Sequence, residues 1–325
     1  MALTPNNEKH RKQILAGTTG RNKGHKFEDT LTKEINKCSS KIIPSGKNLS
    51  HIHCGNPAQQ LLQYIANTYN ITINSVKAYW LGGLATSNEG DSLTDEHGEP
   101  IRASKSDVLI KINANSEKRI IGISVKTCSK KTPTNDQMYF TTASAFCTLL
   151  KNNNIYVSDD AAAGLSMFCG DERYRPKDKM SDTELNNRQS DPNRYYWEEL
   201  PNKARNDWCK IFTNYQDEIT LLLFQKAYKN DPYPPEFLLH QTVKYENFNS
   251  CQTAIFTIEE IVKCSRKYAN YSLRDYSIRK GTYKNDTNIH KAPRFGFIQF
   301  QRGGQKQHPT QLQFNLKAGY FKHLN

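Results

Sequence analysis

The chain has 325 residues and a formal charge of +13, and its 36% hydrophobic and 10% aromatic side chains can form one large domain or two modest ones. No apolar run approaches the roughly 18 to 20 residues needed to cross a bilayer. The N-terminus MALTPNNEKHRKQILAG also lacks the apolar segment of a secretory signal. These features argue against membrane and secreted classes and predict a globular, cytoplasmic protein.

The predicted elements begin with a polar, basic segment up to about Gly24, which we interpret as a short helix and a loose arm. The spacing of Phe27, Leu31 and Ile35 is helical, and Gly24 marks the start of that helix. Apolar residues between 57 and 68 predict a second helix.

The stretch ITINSVKAYWLGGLATS, from residue 71, predicts a strand that enters a Gly-Gly turn. An acidic loop follows at 88–100, and two apolar runs at 106–127 form a predicted hairpin. Residues 136–150 predict a helix across the face of that hairpin, and the polar, proline-punctuated segment 170–193 predicts a long loop.

Two further helices are predicted around residues 197–208 and 216–228. After the break DPYPPE, short strands and turns lead to RFGFIQFQRGGQKQHPTQLQFNLK, which predicts a hairpin around Gly303 and Gly304.

The cysteine and histidine pattern does not predict a metal centre. Eight cysteines are scattered without a CxxC pair, which favours reduced thiols over a disulfide framework. His51, His53 and Cys54 lie close together, but no second cluster at a zinc-site spacing completes the set. Local packing or capping is therefore the interpretation of these three residues.

The positive charge is concentrated in the last fifth of the chain. From Ile261 to Asn325 there are thirteen lysines and arginines against two aspartates. A polyanion binds such a surface through phosphate contacts and counterion release. Nucleic acid is the favoured partner; a merely solvated basic face and an anionic membrane are the alternatives, and no amphipathic lysine-rich helix supports the membrane.

The predicted hairpin SDVLIKINANSEKRIIGISVKT carries charged residues at its two ends. Alternate residues of a strand share a face, so Asp107 lies on the face opposite to the apolar one. A turn centred near Ser116 and Glu117 places Asp107 opposite Lys126, with Ser124 on the same face. An ordinary salt bridge at a strand end would also explain the pair.

This arrangement resembles the PD-(D/E)xK nuclease superfamily, whose signature is an aspartate on one strand and a (D/E)xK tripeptide on the next. The matching residues are Asp107 and Ser124-Val125-Lys126. Glu28 is a third acidic candidate because it lies beside the apolar stripe of its helix, whereas Asp29 points away; Glu34 flanks the stripe on its other side and is the weaker candidate.

Three further segments are similar to parts of type II restriction endonucleases. They are the helix opening NKGHKFEDTL, the lysine-rich continuation SVKTCSKKTPTND and the basic C-terminal hairpin. Two positions depart from the signature. Ser106 stands where it has proline, and Ser124 replaces the acidic residue of the tripeptide. Because serine is a poor ligand for a hard cation, Glu28 or an acid of the 88–99 loop such as Asp91 becomes more important.

The resemblance implies a Mg²⁺ ion held by Asp107 and Glu28, which polarises the phosphate and lowers the pKa of a bound water. Asp107 is then a ligand rather than a base. Lys126 orients or deprotonates the water and stabilises the developing negative charge, and Ser124 completes the catalytic set.

Several long polar side chains are candidates for DNA contacts. Lys130 and Lys131 follow the catalytic strand and can reach phosphates, although simple solubilising charge explains them equally well. Arginine and glutamine pair with guanine and adenine in the major groove. The candidates on or beside the C-terminal hairpin tip are Arg302, Gln305, Lys306, Gln307 and Gln311.

The fold implied is α/β, a central mixed β-sheet flanked by helices, as in restriction endonucleases. The predicted divisions are a basic arm at 1–26, a catalytic core at 27–160, a mainly helical insertion at 161–235, and a basic DNA-recognition region at 236–325.

The implied function is that of a type II restriction endonuclease, which cuts double-stranded DNA at a short specific sequence and needs a cognate DNA methyltransferase as a functional partner. Both a monomer and a homodimer remain open. The alternatives are a repair or recombination nuclease of the same superfamily that recognises DNA structure, and a DNA-binding protein without catalysis.

Overall fold

The structure, a computed structural model, describes residues 8–46, 50–82, 91–95, 97–115, 117–188, 191–225, 231–277, 289–302 and 310–324. The chain forms two compact units, each assembled from three segments. The first, called here the six-stranded unit, comprises Ile14–Asp136, Phe224–Val262 and Ala318–Asn325. The second, the five-stranded unit, comprises Met1–Gln13, Gln137–Leu223 and Lys263–Lys317. The predicted divisions, by contrast, follow chain order.

The helices of the described residues are α1 Glu8–Asn36, α2 Pro57–Tyr69, α3 Ala143–Asn152, α4 Asp159–Cys169, α5 Pro176–Lys179, α6 Asp182–Arg188, α7 Asn202–Asn214, α8 Gln216–Gln225 and α9 Ile258–Tyr268. The strands are β1 Ile52–Gly55, β2 Ile73–Trp80, β3 Val108–Ala114, β4 Lys118–Thr127, β5 Asp136–Thr142, β6 Pro235–Gln241, β7 Cys251–Thr257, β8 Ser272–Ser277, β9 Ile289–Phe295, β10 Ile298–Arg302 and β11 Gln311–Leu316. None of the described helices is long and apolar enough to cross a membrane.

A mixed sheet organises the six-stranded unit, with the order β1-β7-β6-β4-β3-β2. Strands β4 and β6 pair in parallel, and the other neighbours pair antiparallel. Buried residues of α1 and α2 pack with alternate residues of β3 and β4 in one core, which includes Leu31, Ile65, Ile110 and Ile123. The predicted α/β class, a central mixed sheet flanked by helices, is confirmed.

The start of helix α2 agrees with the prediction, whereas the start of helix α1 does not. Helix α2 has Asn56 as its N-cap, whose side chain accepts hydrogen bonds from the backbone of Ala58 and Gln59, and Pro57 occupies the first turn. The predicted helix at 57–68 is thus confirmed. The predicted helix start at Gly24 is wrong, because α1 begins at Glu8 and continues through that glycine. A glycine inside a helix costs only about 1 kcal/mol, and the many helical residues on both sides of Gly24 offset that cost.

The predicted hairpin is confirmed, but its register is not as predicted. Val108 pairs with Ile123 and Asn113 with Lys118, so the turn lies one residue earlier than expected. Moving the centre of a turn by one residue moves the pairing by two. Asp107 therefore lies level with Ser124, and Lys126 lies two residues further along β4.

The five-stranded unit contains a sheet in the order β5-β11-β10-β9-β8 and an aromatic core. Fully buried members of this core include Phe146, Phe168, Trp197 and Trp208. The predicted helices near 197–208 and 216–228 correspond to a 3₁₀ turn at Trp197–Glu199 followed by α7, and to α8.

Two predictions in this unit are wrong. The predicted helix at 136–150 begins as strand β5, because its sequence DQMYFTT contains the aromatic and β-branched residues that favour strands. Helix α3 follows, with the Thr142 hydroxyl capping the backbone N–H of Ala145 at 3.1 Å. The predicted loop at 170–193 contains the short helices α5 and α6.

The C-terminal hairpin is confirmed as the antiparallel pair β10 and β11, while Gly303 and Gly304 lie outside the described residues. The sequence did not predict that β6 and β7 join the sheet of β3 and β4, because the intervening chain contains a large part of the other unit. Strand β1 and helix α9 were also not predicted.

Candidate active site at the end of strands β3 and β4

The backbone of Asp107 is held between two neighbouring segments where β3 begins. Its N–H donates to the carbonyl of Ile123 at 2.8 Å. Its own carbonyl accepts hydrogen bonds from the N–H groups of Leu81 and Gly82, at 2.9 and 3.1 Å. Because both its N–H and its carbonyl are bonded, the backbone position of Asp107 is fixed.

The Asp107 carboxylate faces the SVK tripeptide of β4. Its Oδ2 atom accepts a hydrogen bond from the backbone N–H of Val125 at 2.6 Å and one from the Ser124 hydroxyl at 3.4 Å. The Lys126 Nζ lies 3.8 Å from the same oxygen. That ammonium also donates to Ser124 Oγ at 3.2 Å and to the Val125 carbonyl at 3.0 Å. The structure therefore brings Asp107, Ser124 and Lys126 together, although not in the predicted register.

Helix α1 supplies a third ionisable group, Glu28, on its sheet-facing side as its position beside the apolar stripe predicts. The residue is only 7% exposed, and its Oε2 accepts a hydrogen bond from the indole N–H of Trp80 at 3.0 Å. A Cβ atom at Gly82 would lie 2.0 Å from that oxygen, so only glycine leaves room for the carboxylate. The neighbouring acids lie elsewhere, since Asp29 pairs with Lys33 and Glu34 with Lys37.

Burial makes Glu28 an unusual acid. Loss of hydration, followed by the nearby charge of Asp107, raises the pKa of Glu28 to about 8, although the Trp80 hydrogen bond and Lys126 act in the opposite direction. A carboxylate in such a place needs a positive partner to ionise at neutral pH.

The acid Asp91, which the sequence suggested as an alternative to Glu28, has a different role. Its Oδ2 accepts a hydrogen bond from the backbone N–H of Trp80 at 2.8 Å, and its own N–H donates to the Trp80 carbonyl. Asp91 thus holds the end of β2 in place, and through Trp80 it supports Glu28.

Ser106 and Lys105 precede the aspartate in positions that the sequence did not explain. The Ser106 hydroxyl donates to the carbonyl of Tyr233 at 2.7 Å and is buried, so it ties the start of β3 to the segment before β6. The backbone N–H of Lys105 donates to Asp231 at 2.6 Å.

Lys105 is a charged neighbour of the site that sequence reasoning missed. Burial, and next the positive charge of Lys126, lower the pKa of Lys105 to about 8, while Asp107 and Asp231 oppose this shift. A basic residue two positions before the aspartate is the only signal in the sequence, and it does not reveal that Asp231, far along the chain, positions this segment.

The donor set suits a hard divalent cation. Glu28 and Asp107 provide carboxylate oxygens close enough for their charges to interact, and Val125 provides a carbonyl oxygen at the same strand end. Mg²⁺ is typically held by one or two carboxylates and completes its shell with water and substrate phosphates. Among the described residues no group of three or more His, Cys, Asp or Glu side chains forms a metal cluster, and this includes His51, His53 and Cys54.

The residues expected to contact DNA occupy varied positions. Lys130 and Lys131 are exposed after β4, and the Lys130 carbonyl accepts a hydrogen bond from Lys244 N–H at 2.7 Å. Arg302 does not extend freely from a hairpin tip, because its guanidinium lies 3.4 Å from Asp191 and the two side chains are 8% and 3% exposed. Gln311 is partly buried at the start of β11. The other three candidates, Gln305, Lys306 and Gln307, lie outside the described residues.

The case for a function rests on this geometry. No protein-family model matches the chain, and no curated protein matches it with significance.

Proposed function

We propose that the chain is a Mg²⁺-dependent endonuclease of the type II restriction class, which hydrolyses phosphodiester bonds of double-stranded DNA at a short specific sequence. One observation carries the proposal: Asp107, Lys126 and the buried Glu28 come from two strands and a helix and converge at one strand end. Separate structural ion pairs would not need a buried acid whose carboxylate has room only because Gly82 lacks a side chain.

Asp107 and Glu28 are the residues that would hold the metal ion. A bound Mg²⁺ would supply Lewis-acid polarisation of the phosphate and a water of lowered pKa. The Trp80 N–H orients the Glu28 carboxylate, and the Val125 N–H orients that of Asp107. With both carboxylates oriented before substrate binds, little rearrangement is needed at the moment of reaction.

Lys126 is the group that would act on the attacking water. Its Nζ is fixed by Ser124 Oγ and the Val125 carbonyl, so it stands beside the Asp107 carboxylate in a defined place. An ammonium there stabilises negative charge as it develops on the phosphate oxygens and orients the water, whereas the neutral amine would be the form that accepts the water's proton. Ser124 contributes a hydroxyl between lysine and aspartate, and Glu28 contributes the charge that a serine lacks.

The experiment that tests the proposal is incubation of the purified protein with plasmid DNA of known sequence, in Mg²⁺ and in EDTA. The wild type is expected to give discrete fragments in Mg²⁺ alone, and Lys126→Ala is expected to lower the rate by about 10²–10⁴-fold. Lys33→Ala is the matched control, because Lys33 is an exposed lysine paired with Asp29 on α1.

Other outcomes identify the alternatives. Cleavage of flaps, junctions or ends regardless of sequence would identify a structure-specific repair nuclease. Retardation of the plasmid on a gel without any cleavage would mean that Asp107 and Lys126 form a structural ion pair in a DNA-binding protein. Discrete fragments would also allow the recognition sequence to be mapped from their ends, and a cell with this activity would require a methyltransferase that protects its own sites.

A further inference from the structure

Two lysines and a tyrosine form a cluster on the edge of the six-stranded sheet, apart from the candidate site. Lys77 on β2 pairs directly with Lys111 on β3. The Nζ atoms of both lysines lie 5.3 Å from the centroid of the Tyr79 ring. We call these three residues the Lys-Tyr-Lys cluster.

The cluster is unfavourable for a protein that binds nothing there. Like charges directly opposite each other on neighbouring strands destabilise a sheet. Among the described residues neither lysine forms an ion pair with a carboxylate, since the ion pairs of this unit involve other lysines and arginines. The electron-rich face of Tyr79 compensates in part, because a cation over an aromatic ring is stabilised by about 0.5–1 kcal/mol at exposed sites. A bound anion would supply the opposite charge that both lysines lack.

The cluster lies on the same face of the sheet as Asp107. Asp107, Leu109 and Lys111 alternate with Val108, Ile110 and Ile112, whose side chains belong to the core beneath α1 and α2. Four residues of strand separate Asp107 from Lys111, about 13 Å at roughly 3.3 Å per residue. Between them, Leu109 is covered by a small apolar cluster with Leu81, Leu93 and Ile101.

The spacing fits a double-stranded nucleic acid rather than a small anion. One turn of B-form DNA extends about 34 Å, so a single duplex placed on Asp107 can also reach a group 13 Å away. Asp107 directly precedes β3 and Lys111 lies on it, so one sheet sets the distance between the two positions. A pair of ammonium groups on one ring, from the exposed Lys77 and the partly buried Lys111, suits the non-bridging oxygens of a backbone phosphate, which carry charge but no sequence information.

We infer that the Lys-Tyr-Lys cluster binds the phosphate backbone of duplex DNA on the flank of the scissile bond and thereby sets the direction in which the duplex crosses the sheet. This inference rests on the proposed function and adds a second contact for the substrate on the face of the sheet that carries Asp107. Tyr79 is a positioning residue, because its ring holds the two ammonium groups side by side.

The test is the salt dependence of duplex binding, measured in EDTA so that no cleavage occurs. Each lysine–phosphate contact contributes about 0.9 to the slope of log Kobs against log salt concentration. The double variant Lys77→Gln/Lys111→Gln is expected to lower the magnitude of that slope by about 1 to 2. Its melting temperature should be unchanged or slightly higher, because the repulsion between the paired lysines is removed.

The control is Lys33→Gln/Lys37→Gln, which removes the same charge from α1, whose apolar stripe packs on the opposite face of the sheet. An unchanged slope in that control supports the inference. An unchanged slope in the Lys77/Lys111 variant, or an equal fall in both variants, overturns it even if the wild type cleaves plasmid DNA in Mg²⁺. A wild type that neither binds nor cleaves duplex DNA would overturn the proposed function as well.

Discussion

Glu28 is the residue whose chemistry departs furthest from ordinary behaviour. In the unfolded chain its carboxyl ionises near pH 4.5, whereas in the folded protein without metal its pKa is raised to about 8 by burial and by Asp107. Between these values the folded state holds a proton that the unfolded state releases. The free energy of unfolding contributed by this group is therefore fully present below pH 4.5 and is lost as the pH rises through 8.

Replacement of Glu28 by glutamine tests this linkage. Glutamine is nearly isosteric and cannot ionise, so Glu28→Gln is expected to match the wild type near pH 4.5 and to become the more stable protein at pH 9. The difference should be on the order of a few kcal/mol, because each unit of pKa corresponds to about 1.4 kcal/mol. Denaturant unfolding in EDTA at intervals across this range measures it directly.

Addition of Mg²⁺ tests whether the ionised form of Glu28 binds a cation. A cation held by ionised Glu28 and Asp107 should raise the melting temperature of the wild type most strongly at and above pH 8, and much less in Glu28→Gln. Parallel stability curves for the two proteins in EDTA would show that the carboxyl ionises normally. Asp29→Asn is a suitable control, since that acid lies one residue away in a surface ion pair.

Ser124 stands where the signature of the resemblance has an acid, and its contacts differ from those of an acid. Its hydroxyl donates to Asp107 and accepts from Lys126, so it connects the two charged groups rather than adding a charge. The second carboxylate comes from α1 instead. A buried acid on a helix can replace an acid on a strand when both reach the same point, which is why residue identity in a short motif is a weaker guide than convergence in space.

At the scale of elements, the segment that leads into β3 is held by an acid that lies far away in the sequence. One carboxylate, that of Asp231, accepts hydrogen bonds from the Ser104 hydroxyl at 3.1 Å and from the N–H groups of Lys105 and Tyr233, at 2.6 and 3.1 Å. The bonds join the segment before β3 to the segment before β6. Lys105 and Asp107 consequently share one anchored stretch of backbone.

Removing this anchor should loosen the site without removing any of its charged groups. Asp231→Ala leaves two backbone N–H groups and a hydroxyl without their partner, and partial access of water limits the expected loss to about 1–3 kcal/mol. The free-energy equivalent of the lost cleavage rate should exceed the loss in the free energy of unfolding, because groups that act on a substrate tolerate little displacement. Denaturant unfolding and plasmid cleavage measured on the same protein compare the two effects.

An acid in a surface pair provides the control for this variant. Asp29→Ala removes a helical ion pair with Lys33 and should change the free energy of unfolding by about 0.5 kcal/mol or less. If Asp231→Ala behaved like this control in both assays, the anchoring role would be refuted.

How far the elements were predictable depended on the range of the interactions that define them. Helix α2 and the β3–β4 hairpin follow from local signals: an Asn-Pro start, and apolar alternation around a polar turn. The register was missed by one residue in the turn, because several polar residues there are equally compatible with it. The membership of β6 in the same sheet was not predictable, since its pairing with β4 spans more than a hundred residues of intervening chain.

The features of the candidate site also differ in how far local sequence predicts them. Strand periodicity predicted that Asp107 and Lys126 share a face of the hairpin, and helical periodicity predicted that Glu28 lies on the sheet-facing side of α1. The neighbourhood of Lys105 was not predictable, because it is created by Asp231 after a long excursion of the chain. The pairing of Arg302 with Asp191 was not predictable either, because nothing near Arg302 in the sequence reveals that partner.

At the scale of the whole molecule, the chain leaves the six-stranded unit after residue 136, returns at 224, leaves again after 262 and returns at 318. Its last residues therefore belong to the unit that carries Asp107. Tyr320 is fully buried, and its hydroxyl lies 3.2 Å from Nδ1 of His240, whose Nε2 lies 3.0 Å from Asp136. Because His240 pairs with Lys126 across β4 and β6, the end of the described chain packs against β6, the strand beside the one that carries Lys126.

Truncation of Tyr320 should therefore weaken the sheet that carries the site. Tyr320→Ala removes a large buried ring and leaves His240 without its phenolic partner, so the free energy of unfolding is expected to fall by about 3–5 kcal/mol. The control Lys322→Ala, at an exposed position nearby, should change it by about 0.5 kcal/mol or less. Amide hydrogen exchange locates the effect. Protection is expected to fall in β4, β6 and β7, which form one hydrogen-bonded set of strands, and a loss confined to 263–317 would contradict the assignment of the last residues to the six-stranded unit.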